Sequence, residues 1–279
     1  MDKASYSNEQ QHIINALHVS PSFDVQAEIT RRTDFLCNQL IQSRRRSYVL
    51  GISGGVDSLT AGFLAQAAVQ QARKRGHDAT FIAMRLPYGV QKDEHDAQNA
   101  VKAIDPDRLL TVDIKPASDA MLAAVKASGQ TFESHEQEDF ILGNIKARQR
   151  MIAQYAVAGA THGLVIGTDH AAEALMGFYT KFGDGACDLT PLTGLNKRRV
   201  RALAHEFGAH AALVHKIPTA DLENLAPLKP DEAAFGITYE EIDDFLEGKE
   251  VSERAYDVIF KQYQLTAHKR ALPLDPFSV

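Results

Sequence analysis

The sequence predicts an α/β fold: a doubly wound parallel sheet flanked by helices, with a helical C-terminal extension. Three observations carry this. A short apolar strand, Ser47-Tyr48-Val49-Leu50, runs through a glycine turn, Gly51-Ile52-Ser53-Gly54-Gly55-Val56-Asp57-Ser58, into an alanine- and leucine-rich helix pattern. Apolar runs at 79–86, 109–114 and 163–167 alternate with helix-length segments, as strands of a parallel sheet do. Two of these runs end in polar loops, at 85–91 and 168–173, and doubly wound sheets bind ligands beyond the C-terminal ends of their strands.

The 279 residues suffice for one large α/β domain, and with no internal repeat or low-complexity linker the chain reads as one domain, 1–279. Hydrophobic content of 44% and charged content of 24% are ordinary for a soluble globular protein. A net charge of −6 argues against a nucleic-acid binder with a broad basic surface. No apolar run approaches a membrane span, and the N-terminus has no apolar signal core, so the expectation is a cytoplasmic protein without nucleic-acid or membrane partners. The two cysteines, Cys37 and Cys187, sit in unlike contexts and read as structural, reduced thiols.

In chain order, a short helix spans Glu9 to Leu17. Asp24 caps a helix to about Arg46, with Val25, Ile29, Leu36 and Leu40 on one side. After the glycine turn a helix runs to Arg75 and stops at Gly76. Strand 79–86, helix 93–104, strand 109–114 and helix 116–128 follow. Residues 129–138 read as a polar loop, and a long helix spans 139–159. Strand 163–167 ends at Asp169, a plausible cap for the next helix. A turn-rich loop covers 179–188, and a helix runs from about Lys197 to Phe207. From Lys216 to Asp231 the chain is loop-like. Helices at 239–247 and 251–264 follow, the second capped by Ser252, and the tail His268-Lys269-Arg270 reads as a basic turn. The loops 129–138 and 216–231 are candidate lids.

A strand, a glycine turn and a helix start form a phosphate cradle. Glycines admit close approach of backbone N–H groups, and the helix N-terminus favours an anion. Ser53 and Ser58 add hydroxyls, and Asp57 is placed to hold magnesium beside the phosphates. A loop without lysine, with an acid inside it, suits a pyrophosphate that keeps its metal. Arg85, at the end of strand 79–86, and Gln91, in the loop after it, fall near the cradle, as contacts for adenosine or phosphate or as plain solvated loop. Thr168 and Glu173 face the same crevice. Glu173 either completes the magnesium site or serves only as a helix-start acid. Asn144 and Arg148, four apart, share a helix face. Lys197-Arg198-Arg199 alone reads as a solvated helix start. His205-Glu206 and His210 miss zinc-protease spacing by one residue, and the remaining histidines suggest no metal cluster.

The signature SGGxDS at 53–58 resembles the loop of the ATP pyrophosphatases. With 85–91, Asn144 to Arg148, 167–173, 178–185, 191–198, 218–222 and 268–270, the chain resembles the ammonia-dependent NAD synthetases over nearly its whole length. That resemblance implies a Rossmann-like sheet of the adenine nucleotide alpha hydrolase type, and a ligase making NAD from deamido-NAD, ATP and ammonia. It implies ATP contacts at Gly51, Ile52, Ser53, Gly54, Gly55, Val56, Asp57, Ser58, Arg85, Gln91, Thr168, Lys197 and Thr219. Deamido-NAD falls to Phe140, Asn144, Arg148, Lys181, Asp188, His268 and Lys269. Mg2+ falls to Asp57 and Glu173, no protein nucleophile is needed, and the family is a homodimer with its dinucleotide site at the subunit interface. Val56 stands where many members have glutamine. Ammonia is the implied donor, because the length leaves no room for a glutaminase domain. The rivals are another adenylating enzyme of the superfamily, such as the synthetase part of GMP synthetase or a tRNA-modifying sulfur transferase, and a non-enzymatic nucleotide-binding module.

Overall fold

The computed structural model describes residues 3–90, 94–220, 225, 229–271 and 273–277. Four strands, β1 (Ser47–Gly51), β2 (Thr80–Arg85), β3 (Arg108–Thr111) and β4 (Gly163–Val165), form a parallel sheet in the order β3-β2-β1-β4. Val49 is level with Ile82 on one side and with Val165 on the other. The chain therefore builds outward from β1 to β3 and then crosses to the other side of β1. That reversal opens a crevice above the C-terminal ends of β1 and β4.

Side-chain alternation divides the strands between two cores. Tyr48, Leu50, Phe81 and Ala83 face one core, shared with α2 (Val25–Ser43), α3 (Val56–Lys74) and α8 (Lys197–Glu206). Val49, Ile82, Met84 and Val165 face the other, together with Ala158 of α6 (His135–Ala160). Strands apolar on both faces need helices on both, which is why the sheet is parallel and covered. Helix α3 is buried on nearly every side, and its Ala61, Ala65, Ala68 and Ala72 let it lie close to the sheet. A third core joins α1 (Lys3–Ala16) and α7 (Ala171–Met176) to α11 (Tyr239–Leu246) and α12 (Glu253–Leu265); this is the C-terminal helical extension.

Asp24 and Ser252 cap their helices as the sequence predicts. Several boundaries differ. The first helix begins at Lys3, ahead of Glu9. The long helix begins at His135, because Ser134 accepts from the Gln137 N–H and starts it within the predicted loop. Asp169 is not the cap of α7; His170 is, its ring accepting from the Glu173 N–H. β3 ends at Thr111 rather than Ile114, because Pro116 starts α5 (Lys115–Ala127) just beyond. β4 is short, and Ile166 continues it only as a bridge to Leu189. In the predicted loop after Lys216, Thr219–Ala220 pairs antiparallel with Lys229–Pro230, and a short helix, Asp231–Phe235, follows. The basic tail is a helical turn, Ala267–Arg270. The two cysteines are free thiols. Among the described residues no helix is long and apolar enough to cross a membrane.

Candidate active site

The glycine turn is held in shape by its own hydroxyls. The Ser53 N–H donates to Ser58 Oγ at 3.2 Å, and the Gly55 N–H donates to Ser53 Oγ at 3.2 Å. Gly54 has φ +88°, a region that suits glycine, and an added Cβ would stand 2.8 Å from the Ala97 nitrogen of α4 (Glu94–Ile104). Helix α4 thus roofs the turn. Gly55 is the N-cap of α3 and supplies no side-chain cap. The first N–H groups of a 19-residue helix are left without intrahelical partners, so this end is suited to an anion. Val56 is 3% exposed and packs in the core, so it meets the turn through its backbone alone.

Asp57, in the first turn of α3, joins three elements. Lys197 Nζ of α8 lies 2.7 Å from Asp57 Oδ2, and His170 Nε2 lies 3.3 Å from Asp57 Oδ1 and 3.6 Å from Glu173 Oε1. Ligand atoms of Asp57, His170 and Glu173 lie within 4.8 Å of one another. Asp57 Oδ1 is buried and receives no aligned hydrogen bond. Burial pushes the Asp57 carboxyl up, yet Lys197 and His170 outweigh it and hold Asp57 well below the usual carboxylate range. Burial, then the Asp57 charge, push Glu173 well above that range. Burial, aided by Asp184 and Asp57, lifts Asp169 to about 7. Burial also raises Asp184 and Asp231. His170 is lowered by burial despite Asp57, and Lys197 is raised because Asp57 and Glu173 overcome its burial. Buried carboxylates beside an oxygen without a hydrogen bond are a donor set that fits a hard divalent cation such as magnesium.

Lys197 is 1% exposed, so the sequence expectation of a solvated helix start fails at this residue. The burial comes from α11, whose Asp243 accepts from the Lys197 N–H at 3.0 Å and the Arg198 N–H at 2.7 Å. Asn196 caps α8 through the Arg199 N–H and donates to Glu247 at 2.8 Å. An acid at the helix N-terminus satisfies donors that would otherwise be buried without partners. Arg198, by contrast, lies at the surface among Glu240, Asp244 and Glu247.

A cavity of about 450 Å³ opens over these groups. Its lining includes Gly51 to Ser53, Gly55 to Ser58, Arg85, Phe140, Asn144, Thr168, Glu173, Lys197, Thr219 and Lys269. Gly54, Arg148, Lys181, Asp188 and His268 do not line it, and Gln91 lies outside the described residues. Arg85 is buried and braces the turn, donating to the Ile52 carbonyl and pairing with Glu94 at 2.6 Å. Asn144 accepts from Thr180 Oγ1 at 2.9 Å, and Arg148 donates to the Lys181 carbonyl at 3.2 Å. Lys181 Nζ donates to the His268 carbonyl at 2.6 Å, and Lys269 Nζ donates to the carbonyls of Gly177 and Tyr179 at 2.7 and 2.8 Å. Asp188 accepts from the Val165 N–H at 2.7 Å. These polar residues form one connected wall from α6 through the 177–188 loop to the tail.

Sequence reasoning missed His170, Gln154, Asp184, Lys216 and Asp231. All line the cavity except His170, which lies under it against Asp57. His170 places a ring nitrogen within 4.8 Å of ligand atoms of Asp57 and Glu173, a grouping that the scattered histidines did not suggest in the sequence; the i, i+3 spacing to Glu173 was the available signal. Gln154 Oε1 accepts from the Gly51 N–H at 2.8 Å, a contact across 103 positions that no local pattern announces.

Comparison with known proteins gives a consistent picture. The family model described as NAD synthase matches residues 28–273. An NH(3)-dependent NAD(+) synthetase from Burkholderia ambifaria is 61% identical over 99% of this chain and 98% of its own length. One from Streptomyces coelicolor is 62% identical over 96% of this chain and 97% of its own. The crystal structure of NAD+ synthetase from Burkholderia pseudomallei superposes with a TM-score of 0.84 at 57% identity, covering 96% of this chain and 98% of that one. The structure of NMN synthetase from Francisella tularensis superposes at 0.80 with 33% identity, covering 92% and 100%.

Proposed function

The chain belongs to the NAD synthase family, and on that premise we propose how its crevice carries the reaction. The chain is an ATP-dependent ligase that amidates deamido-NAD to NAD with ammonia, the last step of NAD biosynthesis, releasing AMP and pyrophosphate. ATP lays its phosphates against the uncapped start of α3, with Lys197, Thr168 and Thr219 around it and Arg85 holding the turn from beneath. Asp57 and Glu173 hold Mg2+, which when bound offsets the charge of the departing pyrophosphate. The nicotinate carboxylate attacks the α phosphorus to give a mixed anhydride with AMP. Ammonia attacks its carbonyl carbon and AMP leaves. Asp184, a buried carboxyl lining the cavity with its proton affinity raised, is the group placed to accept a proton from ammonium. The protein's work is to hold two anions in line and keep water off the anhydride.

Phe140, Asn144, Arg148, Lys181, Asp188, His268 and Lys269 hold the dinucleotide. Four of these seven lie outside the single-chain cavity, while Phe140, Ile152 and Phe182 are about half exposed on or beside α6. A second copy of the chain placed there completes the site, so the working form is a homodimer, in the cytoplasm. The observation that carries the reading is the uncapped N-terminus of α3 opening into the same cavity as Asp57, Glu173 and Lys197. The test is purified chain with ATP, Mg2+, ammonium and deamido-NAD, read as NAD and AMP in equal amounts. AMP without NAD, or amidation of nicotinate mononucleotide in preference, would overturn the substrate assignment.

A further inference from the structure

β1 loses a neighbour just where the phosphate turn begins. Ile166 donates to the Val49 carbonyl at 2.9 Å, and among the described residues that is the last rung between β1 and β4. Beyond it the chain turns away, and the Gly167 N–H donates to the Leu189 carbonyl at 2.8 Å. Alternation along β1 points the Gly51 N–H to the same side as the Val49 carbonyl, where no strand carbonyl receives it. Gln154 of α6 takes that place, its Oε1 accepting from the Gly51 N–H at 2.8 Å. A backbone N–H only donates, so the amide atom that faces it is the oxygen. The Nε2 end donates to the Arg150 carbonyl at 3.3 Å, which anchors the side chain to its own helix. Gly51 leaves just enough room for this approach: a Cβ there would stand 3.3 Å from Gln154 Oε1 and from Leu86 Cδ1.

The same face of α6 runs the length of the cavity. Phe140, Gly143, Asn144, Ala147, Arg150 and Gln154 recur at intervals of three and four residues, and all six line it. Arg150 Nε donates to the Leu86 carbonyl at 3.0 Å, so one helix holds the chain at the ends of both β1 and β2. We propose that Gln154 is a positioning residue for ATP: its amide oxygen fixes the Gly51 N–H, and with it the start of the phosphate turn, to α6. This rests on the reading that the turn holds the phosphates of ATP. Gln154 belongs to the cavity wall, so when its acceptor is removed, water from the cavity reaches the Gly51 N–H. The fold then keeps its hydrogen bonds while the turn loses its fixed anchor.

The experiment titrates the full chain with Mg2+ and α,β-methylene ATP, an analogue not cleaved between the α and β phosphates, followed by calorimetry. Gln154→Met keeps the length of the side chain and removes the acceptor. The expected result is analogue binding weakened about 3–10-fold, the size of one hydrogen bond. NAD formation should show a similar rise in the KM for ATP, with kcat, the KM for ammonium and the melting temperature close to those of the unsubstituted chain. With 15N-glycine labelling, the Gly51 amide, assigned by its loss in Gly51→Ala, should exchange with D2O faster in Gln154→Met. Gln154→Asn keeps the amide but is one methylene short, and it should match Gln154→Met. Unchanged analogue binding by Gln154→Met, or a Gln154→Asn chain that binds like the original, overturns the proposal. So does a loss shared alike by ATP, ammonium and melting temperature, which marks a merely structural contact. If the unsubstituted chain does not bind the analogue, the ATP reading of the turn fails and the role of Gln154 fails with it; if it binds and Gln154→Met binds equally well, only the role of Gln154 fails.

Discussion

Replacing Lys197 by methionine removes the cation that faces Asp57 at 2.7 Å in a pocket where the lysine is 1% exposed. Methionine keeps most of the volume, so the loss is electrostatic rather than a cavity. Breaking a buried pair by removing one partner costs about 3–5 kcal/mol, because the other charge stays buried. The neighbours compound this. Burial and the Asp57 charge already push Glu173 well above the carboxylate range, and Lys197 is the cation that offsets both. At about 2–4 °C per kcal/mol for a chain of this size, the melting temperature should fall by about 6–20 °C in EDTA. Urea unfolding gives the free energy directly. Adding Asp57→Asn to Lys197→Met removes the stranded charge, so the double variant should be more stable than the sum of the singles implies, with a coupling of about 0.5–3 kcal/mol. Amidation should be lost in all three. Strictly additive destabilisation, or a Lys197→Met chain that melts like the original, would refute the reasoning.

Gly54→Ala combines a left-handed residue, at about 1–2 kcal/mol, with a Cβ 2.8 Å from the Ala97 nitrogen; urea unfolding should show a loss of at least that size, and the KM for ATP should rise as α4 is pushed off the turn. Asp243→Ala strips acceptors from the Lys197 and Arg198 N–H groups, so stability should fall by about 2–4 kcal/mol and kcat should drop, while unchanged kcat would detach Asp243 from the site. Stability of the metal-free chain should fall as pH rises from about 4 to about 7. Across that window folded Asp169 keeps a proton that the unfolded chain has released, since burial and then Asp184 and Asp57 hold it at about 7 against an ordinary 3.8. The interval corresponds to at most about 4 kcal/mol; melting in EDTA at pH 5 and pH 8 checks the sign, and greater stability at pH 8 would contradict it.

Much of the fold is written locally. Tyr48 and Leu50 alternate with Val49, and Phe81 with Ile82, so strands covered on both faces follow from composition alone. Asp24 and Ser252 start helices through hydrogen bonds three residues long, which sequence displays directly. The glycine turn and Asp57 are equally legible, because a phosphate cradle is built from consecutive residues. The tertiary structure decided the rest. Lys197 sits in a basic run that reads as solvated, and it becomes a buried cation at the cavity because Asp243 of α11 binds its backbone and Asp57, 140 positions away, binds its side chain. His170 looked like one of several scattered histidines until α7 turned it toward Asp57 and Glu173. Arg85 read either as an adenosine or phosphate contact or as solvated loop, whereas it is buried, lines the cavity, and is held by the Ile52 carbonyl and Glu94. Charge and residue type are properties of the sequence. Whether a charge is solvated, paired or aimed at a substrate depends on which distant backbone it meets, and that is settled only when the three cores close around it.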